Sequence, residues 1–248
     1  MKKVALIFAA LLLLLPFAAS AQVIIDDDAD GYAEWSAGFG DWDVRGGMYV
    51  QRDTGTGLAR AVRMVPQSGE LEYAFKIRYE AGGFEDQAAL RAGQLHAGFG
   101  MHVGVENPPR TGAPAWGAGE SYLLWLNLDT RREVLTDTPE HFGFRGQVYQ
   151  SESNATMNLS PYNIDIQEQL ANIGIELGIN DLEGFLGQLV PMKIRVNYDT
   201  GRVMVMDPTN PSLWFWFDVD PDVLEGNYIA LRTNSLAVSF ADFMVTQR

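Results

Sequence analysis

The chain has 248 residues, 18 basic against 32 acidic side chains, a net charge of −14 and no cysteine. That balance repels nucleic acid and anionic lipid, and the missing thiol excludes disulfide stapling and thiol chemistry. Stability must therefore come from a hydrophobic core, for which a 47% share of hydrophobic residues is ample.

Met1-Lys2-Lys3 gives a positive start, residues 4–17 are apolar apart from Pro16, and Ala19-Ser20-Ala21 is a small-x-small cleavage pattern. These are the three parts of a secretory signal. The apolar run is shorter than the ~20 residues of a spanning helix and carries a helix-breaking proline. Residues 1–21 are therefore expected to be a signal peptide, with one domain over 22–248. The mature protein is expected in the periplasm or outside the cell, with no membrane insertion after cleavage.

Along the mature chain, Leu71, Tyr73, Phe75, Ile77 and Tyr79 alternate with polar residues over 70–80. Period two with aromatic and β-branched side chains predicts a half-buried strand. Similar stretches lie at 48–53, 58–64, 95–105, 122–128, 132–136, 142–149, 192–198, 203–207, 213–219, 228–232 and 237–246. Gly, Pro, Asn or Asp bounds each, and Asp199-Thr200-Gly201 reads as a hairpin turn. The polar stretch 150–162 reads as a loop. From 164 to 189, Ile166, Leu170, Ile173, Leu177, Leu182, Phe185, Leu186 and Leu189 recur at helical spacing, divided by Gly178 and Asn180. That pattern predicts two short amphipathic helices. The fold class is all-β: a two-sheet antiparallel jelly-roll sandwich with a short helical insertion at about 164–189.

The opening Ile25-Asp26-Asp27-Asp28-Ala29-Asp30-Gly31, then Trp35, then residues 41–51, resembles the first strands of concanavalin A-like lectin/glucanase domains, the laminin G-like ones included. Residues 227–233 and 238–245 resemble that superfamily's two closing strands. The resemblance implies a jelly roll with one concave sheet, on which relatives bind or cleave polysaccharides. It also implies calcium on the convex side, held here by Asp242 of the last strand and the carbonyl of Gly46 or Gly47, aided by Asp27. From the residues themselves, Asp26, Asp28 and Asp30 alternate before a turn glycine as in calcium loops. The twelfth position of such a loop is Ala37, so that site is incomplete and a solvated acidic turn is the alternative.

Asn163-Ile164-Asp165-Ile166-Gln167-Glu168 resembles the Glu-x-Asp-x-x-Glu strand of retaining β-glucanases, but an asparagine stands at the nucleophile position. Retention needs two carboxylates ~5 Å apart, so this motif gives no glycosidase; Asp165 and Glu168 read instead as an acidic first turn of a helix. His96 and His102 would lie roughly 20 Å apart on one strand, too far to share a metal, so surface or pocket-edge hydrogen bonding is expected of each and of His141. No serine elbow, phosphate loop or metalloprotease helix is present. Aromatic rings carry more signal: Phe215 and Phe217 point one way and Trp214 and Trp216 the other, Trp125 lies on a strand, and Trp116 sits in a Gly/Pro-rich loop. Flat rings stack on sugar faces while polar side chains such as His102 read hydroxyls; packing against the helices is the alternative.

The expected function is thus a secreted, non-catalytic carbohydrate-binding module for a polysaccharide or cell-envelope glycan. The rivals are a structural role with a protein partner in an envelope assembly, and a glycoside hydrolase with carboxylates from separate strands.

Overall fold

The computed structural model describes residues 21–55, 57–82, 97–108, 116–129, 139–178 and 181–248. The signal segment up to Ser20, His96 and the strand expected at 132–136 lie outside the described residues. In chain order the strands are β1 (Gln22–Asp26), β2 (Ser36–Phe39), β3 (Trp42–Arg45), β4 (Met48–Gln51), β5 (Ala59–Met64), β6 (Glu70–Gly82), β7 (Gly98–Val105) and β8 (Glu120–Asp129). There follow β9 (Gly143–Glu152), β10 (Met157–Asp165), β11 (Val190–Asn197), β12 (Arg202–Asp207), β13 (Asn210–Asp218), β14 (Tyr228–Asn234) and β15 (Leu236–Gln247).

These strands form two antiparallel sheets. One runs β13-β12-β11-β6-β15-β4-β3, with β1 added beside β15; the other runs β10-β9-β8-β7-β14-β5-β2. This is the all-β sandwich expected from the alternation. Inward residues of both sheets fill one core, among them Leu71, Tyr73, Phe75 and Ile77 of β6, Phe99, Met101 and Val103 of β7, Leu231 of β14, and Phe240 and Phe243 of β15. A polar clip also joins the sheets. The Tyr73 hydroxyl lies 2.6 Å from that of Tyr198, which donates to Gln67 Oε1; the Gln67 amide donates to the Tyr228 carbonyl at 2.7 Å. The polar groups of this clip can be buried because they are hydrogen-bonded to one another.

The turn at Asp199-Thr200-Gly201 is present: the Asn197 side chain accepts from the amides of Asp199 and Thr200, and Gly201 has φ 72°. A Cβ at Gly201 would stand 1.9 Å from the Val219 carbonyl oxygen, so only glycine fits.

One expectation changes. Residues 150–162 are not a loop: β9 continues to Glu152, Ser153 to Thr156 form a turn, and β10 pairs back along β9. As an edge strand β10 is held by its backbone ladder. The two short helices expected within 164–189 are present, at Ile166–Asn172 and Leu182–Leu186, the first capped by Asp165. Gly174, at φ 82°, follows the first helix and stops it.

On the outer face of β6, Glu72 is buried among basic groups: Arg248 at 2.6 Å, Arg195 at 2.9 Å and Lys193 at 3.1 Å. Burial raises its pKa, but these three partners outweigh that and pull the carboxyl down to about 2. A depressed carboxylate pKa stabilises the fold above the unfolded-state value and loses that contribution as pH falls through the folded value. Stability from Glu72 should therefore be complete at neutral pH and vanish between about pH 5 and pH 2. Glu72→Gln is expected to lower unfolding free energy by on the order of 2 kcal/mol at pH 7 and by little at pH 2. Urea denaturation of both proteins at the two pH values checks this.

Candidate functional site

The outer face of the seven-stranded sheet carries polar residues in register. Across it run Phe39, Arg60, Arg232, Gly100, Trp125, Gln147 and Asn163, each opposite the next on neighbouring strands. The next row contains Ala230, His102, Leu123, Tyr149 and Leu159. Residues in register share a face because strand side chains alternate.

Glycines shape this face. A Cβ at Gly98 would lie 2.6 Å from the Trp125 ring, and one at Gly100 2.1 Å from the Leu124 carbonyl oxygen. Their absence of side chains lets the Trp125 indole lie down on β7, where it is only 4% exposed. Arg232, 1% exposed, sits between two indoles, its guanidinium 5.6 Å from the Trp125 ring and 5.4 Å from that of Trp116. Its Nη1 donates to the Trp116 carbonyl and its Nε to Asn234 Oδ1 at 3.2 Å. Arg60, 0% exposed, donates to the Gly117 carbonyl at 2.6 Å and covers the Phe39 ring at 5.2 Å. Cation–π contacts and carbonyl acceptors offset part of the desolvation of these charges. Burial pulls the Arg60 guanidinium down to about 10; burial, then Arg60, pulls Arg232 down to about 9, and both remain cationic at neutral pH.

Above Arg232 opens a pocket of about 430 Å³. Leu123, Trp125 and Tyr149 form its floor, and Trp116, His141 and residues 155–157 form its walls. Gln147 donates to His141 Nδ1 at 3.1 Å and accepts from the Tyr149 hydroxyl at 3.0 Å, which locks these side chains together. The Asn127 amide holds the 139–143 segment through the carbonyls of His141 and Gly143. No Asp or Glu lines the pocket among the described residues.

The residues singled out from sequence divide sharply. Trp116 and Trp125 face each other across Arg232 in this pocket, and His102 lies beneath it. Trp214 and Trp216, 50% and 51% exposed, are on the outer face of edge strand β13 in the other sheet, so they cannot share a ligand with Trp116. Arg202 covers the Trp216 ring at 4.4 Å. Phe215 and Phe217 point into the sandwich as the alternation predicts. Sequence reasoning passed over Arg60, Arg232, Gln147 and Tyr149, while His141 takes the pocket-edge hydrogen bonding expected of it. The signal was there for the first two: each follows strand periodicity on the face opposite an apolar set, which marks an outward row.

The acidic residues are not gathered into a cation site. Asp26 ends β1, and residues 27–30, Asp30 included, form one helical turn instead of a ligand loop. Asp27 is fully buried, ion-paired with Arg63 and accepting from Trp35 Nε1 at 2.7 Å. Asp28 and Asp242 do adjoin: burial, then Asp242, raises the Asp28 pKa. Lys76 is ion-paired with Asp242 and already supplies positive charge there. Gly47 turns β3 into β4 with φ 76°. Among the described residues no three acidic or histidine side chains come together as metal ligands, so these donors do not fit a calcium centre. Near the glucanase-like motif, Asn163 accepts from Arg145 at 2.7 Å, while Asp165 caps the helix through the Glu168 amide at 3.1 Å and meets Arg145 at 3.3 Å.

The fold is a two-sheet jelly roll of the concanavalin A-like type. No protein-family model matches the chain, and no curated protein matches it. Solved structures do. The carbohydrate-binding module CBM66 from Bacillus subtilis is 9% identical, with 86% of this chain and 96% of that one covered and a TM-score of 0.52. A legume lectin-like domain from Entamoeba histolytica is 8% identical over 87% and 90%, at 0.51. The carbohydrate recognition domain of Emp46p in its potassium-bound form is 11% identical over 90% and 92%, at 0.54. At such identities the likeness is one of fold. Among the described residues no helix is long and apolar enough to cross a membrane.

His102 is fully buried, and its Nδ1 lies 3.1 Å from Ser121 Oγ. Ser121 has one proton, directed to the Ala118 carbonyl at 3.3 Å, so its oxygen must accept and His102 must carry its proton on Nδ1. Burial first, then Arg232 and Arg60, hold the imidazole pKa well below its usual value. Nitrogen-15 NMR of the imidazole is expected to report a single neutral Nδ1–H tautomer from pH 8 to pH 5. A titration near pH 6.5 would contradict this arrangement.

Proposed function

We propose that the protein is an exported, non-catalytic carbohydrate-binding module whose ligand site is the pocket between Trp116 and Trp125. The observation that carries this reading is the pairing of a partly exposed indole, Trp116, 43% exposed, with a locked polar set formed by Gln147, His141 and Tyr149. An indole face stacks on the apolar face of a sugar ring, and the imidazole of His141 and phenol of Tyr149, held in place by Gln147, read hydroxyls. The structural neighbours, which are carbohydrate-binding by name, support the same class of ligand. Hydrolysis is left out because a glycosidase needs two carboxylates at the scissile bond, and the described lining offers none. Calcium is not part of this proposal: Asp26 and Asp242 both act on Asp28, and Lys76, ion-paired with Asp242, already supplies positive charge there. Export to the periplasm or beyond rests on residues 1–21, and the glycan would be a polysaccharide or an envelope component.

A second reading, assembly with a protein partner, draws on Trp214 and Trp216, which expose half their surface on an edge strand. Large exposed aromatics at an edge suit protein contact. The two readings separate by mutation. Trp116→Ala is expected to fold normally and weaken binding on a glycan array by roughly fivefold or more, taking the ~1–3 kcal/mol of a base stacked on one aromatic side chain as the scale. Trp214→Ala and Trp216→Ala should leave glycan binding within about twofold of the parent. Trp125→Ala removes a buried indole and should destabilise by ~3–5 kcal/mol. Loss of glycan binding in Trp214→Ala with Trp116→Ala unaffected would move the site to the other sheet.

A further inference from the structure

β5 buries two arginines and treats them differently. Arg63, on the core side, is ion-paired with buried Asp27. Arg60, on the outer side, has no carboxylate partner among the described residues, and neither has its cross-strand neighbour Arg232. The usual arrangement for a buried charge is an opposite charge beside it, and this chain supplies one where it serves the core. Two like charges on adjacent strands instead repel each other, and each is desolvated.

Hydrogen bonding around them is also incomplete. Arg60 Nε and Nη2 and His102 Nε2 are buried with no partner, and Arg232 bonds through Nε and Nη1 only. With its proton on Nδ1, His102 adds a lone pair and no charge, so it compensates neither guanidinium. Arg145, farther along the same face, is already neutralised by Asp165. At the pocket floor Tyr149 feels Arg232 first, then Glu140 and Asp129. The chain as a whole carries −14, which makes this pair of cations a property of the site and not of the surface.

We infer that the pocket selects an acidic glycan, with the carboxylate or sulfate group of the sugar supplying the negative charge that Arg60 and Arg232 lack. Arg232 reaches the pocket and offers the direct contact; Arg60, sealed behind Gly117, adds field from below. The stacked indoles hold the guanidinium plane rigid, which preorganises it for an oxyanion.

This inference rests on the sugar-binding reading, and the test keeps the two apart. Binding of the mature protein is measured by calorimetry to polygalacturonate, to its methyl ester, to a sulfated galactan and to unsubstituted galactan, alongside an array pairing other uronic-acid polymers with their carboxyl-reduced forms. The acidic member of a pair is expected to bind at least tenfold tighter than its neutral form, about 1.4 kcal/mol. Preference for polygalacturonate assigns a carboxylate, and preference for the sulfated galactan a sulfate. Arg232→Gln should abolish the preference and Arg232→Lys keep part of it, each checked for folding by circular dichroism. Equal binding of acidic and neutral forms overturns the inference and leaves the sugar site standing. Binding of no polysaccharide at all removes both. Because esterification alters only the ligand, the comparison decides even if the arginine variants fail to fold.

Discussion

Alternation along the strands of the seven-stranded sheet is the constraint from which the site follows. Ile229 and Leu231 must enter the core, so Ala230, Arg232 and Asn234 must leave it on the opposite face. The same rule on β7 sends Phe99 and Met101 inward and Gly98, Gly100 and His102 outward. On β8 it sends Leu124 inward and Leu123 and Trp125 outward. A slip of one residue in any of these strands would bury the guanidinium rows in the sandwich and expose the core. The hydrophobic core and the polar face are therefore one specification.

What makes the polar face a pocket is the second layer above it. Trp116, Gly117 and Ala118 cross over the arginines, held by carbonyls that accept from Arg60 and Arg232 and by the Ala118 amide, which donates to Ser151 Oγ at 3.0 Å. A Cβ at Gly117 would stand 1.7 Å from the Ser153 carbonyl oxygen, so the crossing segment can lie this close only with glycine there. The 139–143 segment closes the other side through Asn127. Cationic side chains thus fix the covering loop.

Much of the fold was legible in the sequence. Strands such as β6 and β15 announce themselves because they are half-buried and alternate, and the turn glycine at Gly201 marks its hairpin. β10 was illegible because its alternation is interrupted by the register shift between Leu159 and Asn163, so that its apolar residues, Leu159 and Tyr162 among them, keep no single period. The site was legible in part. Trp116 and Trp125 are recognisable as large rings outside the core pattern, but Trp214 and Trp216 look identical in sequence, and only the strand order puts them on the far sheet. Arg60 and Arg232 are 172 positions apart and look like solvated charges; register alone makes them neighbours. The acidic N-terminal run misled for the converse reason, since Asp27 spends its charge on Arg63 instead of a cation.

The central claim is that one concave face, covered by Trp116, receives the ligand. Proton–nitrogen NMR of the six indole groups during titration with a bound oligosaccharide tests it most directly. The indole signals of Trp116 and Trp125 should move saturably and together, with those of Trp214 and Trp216 unchanged. Saturable shifts confined to Trp214 and Trp216 would contradict the account and place recognition on the opposite sheet.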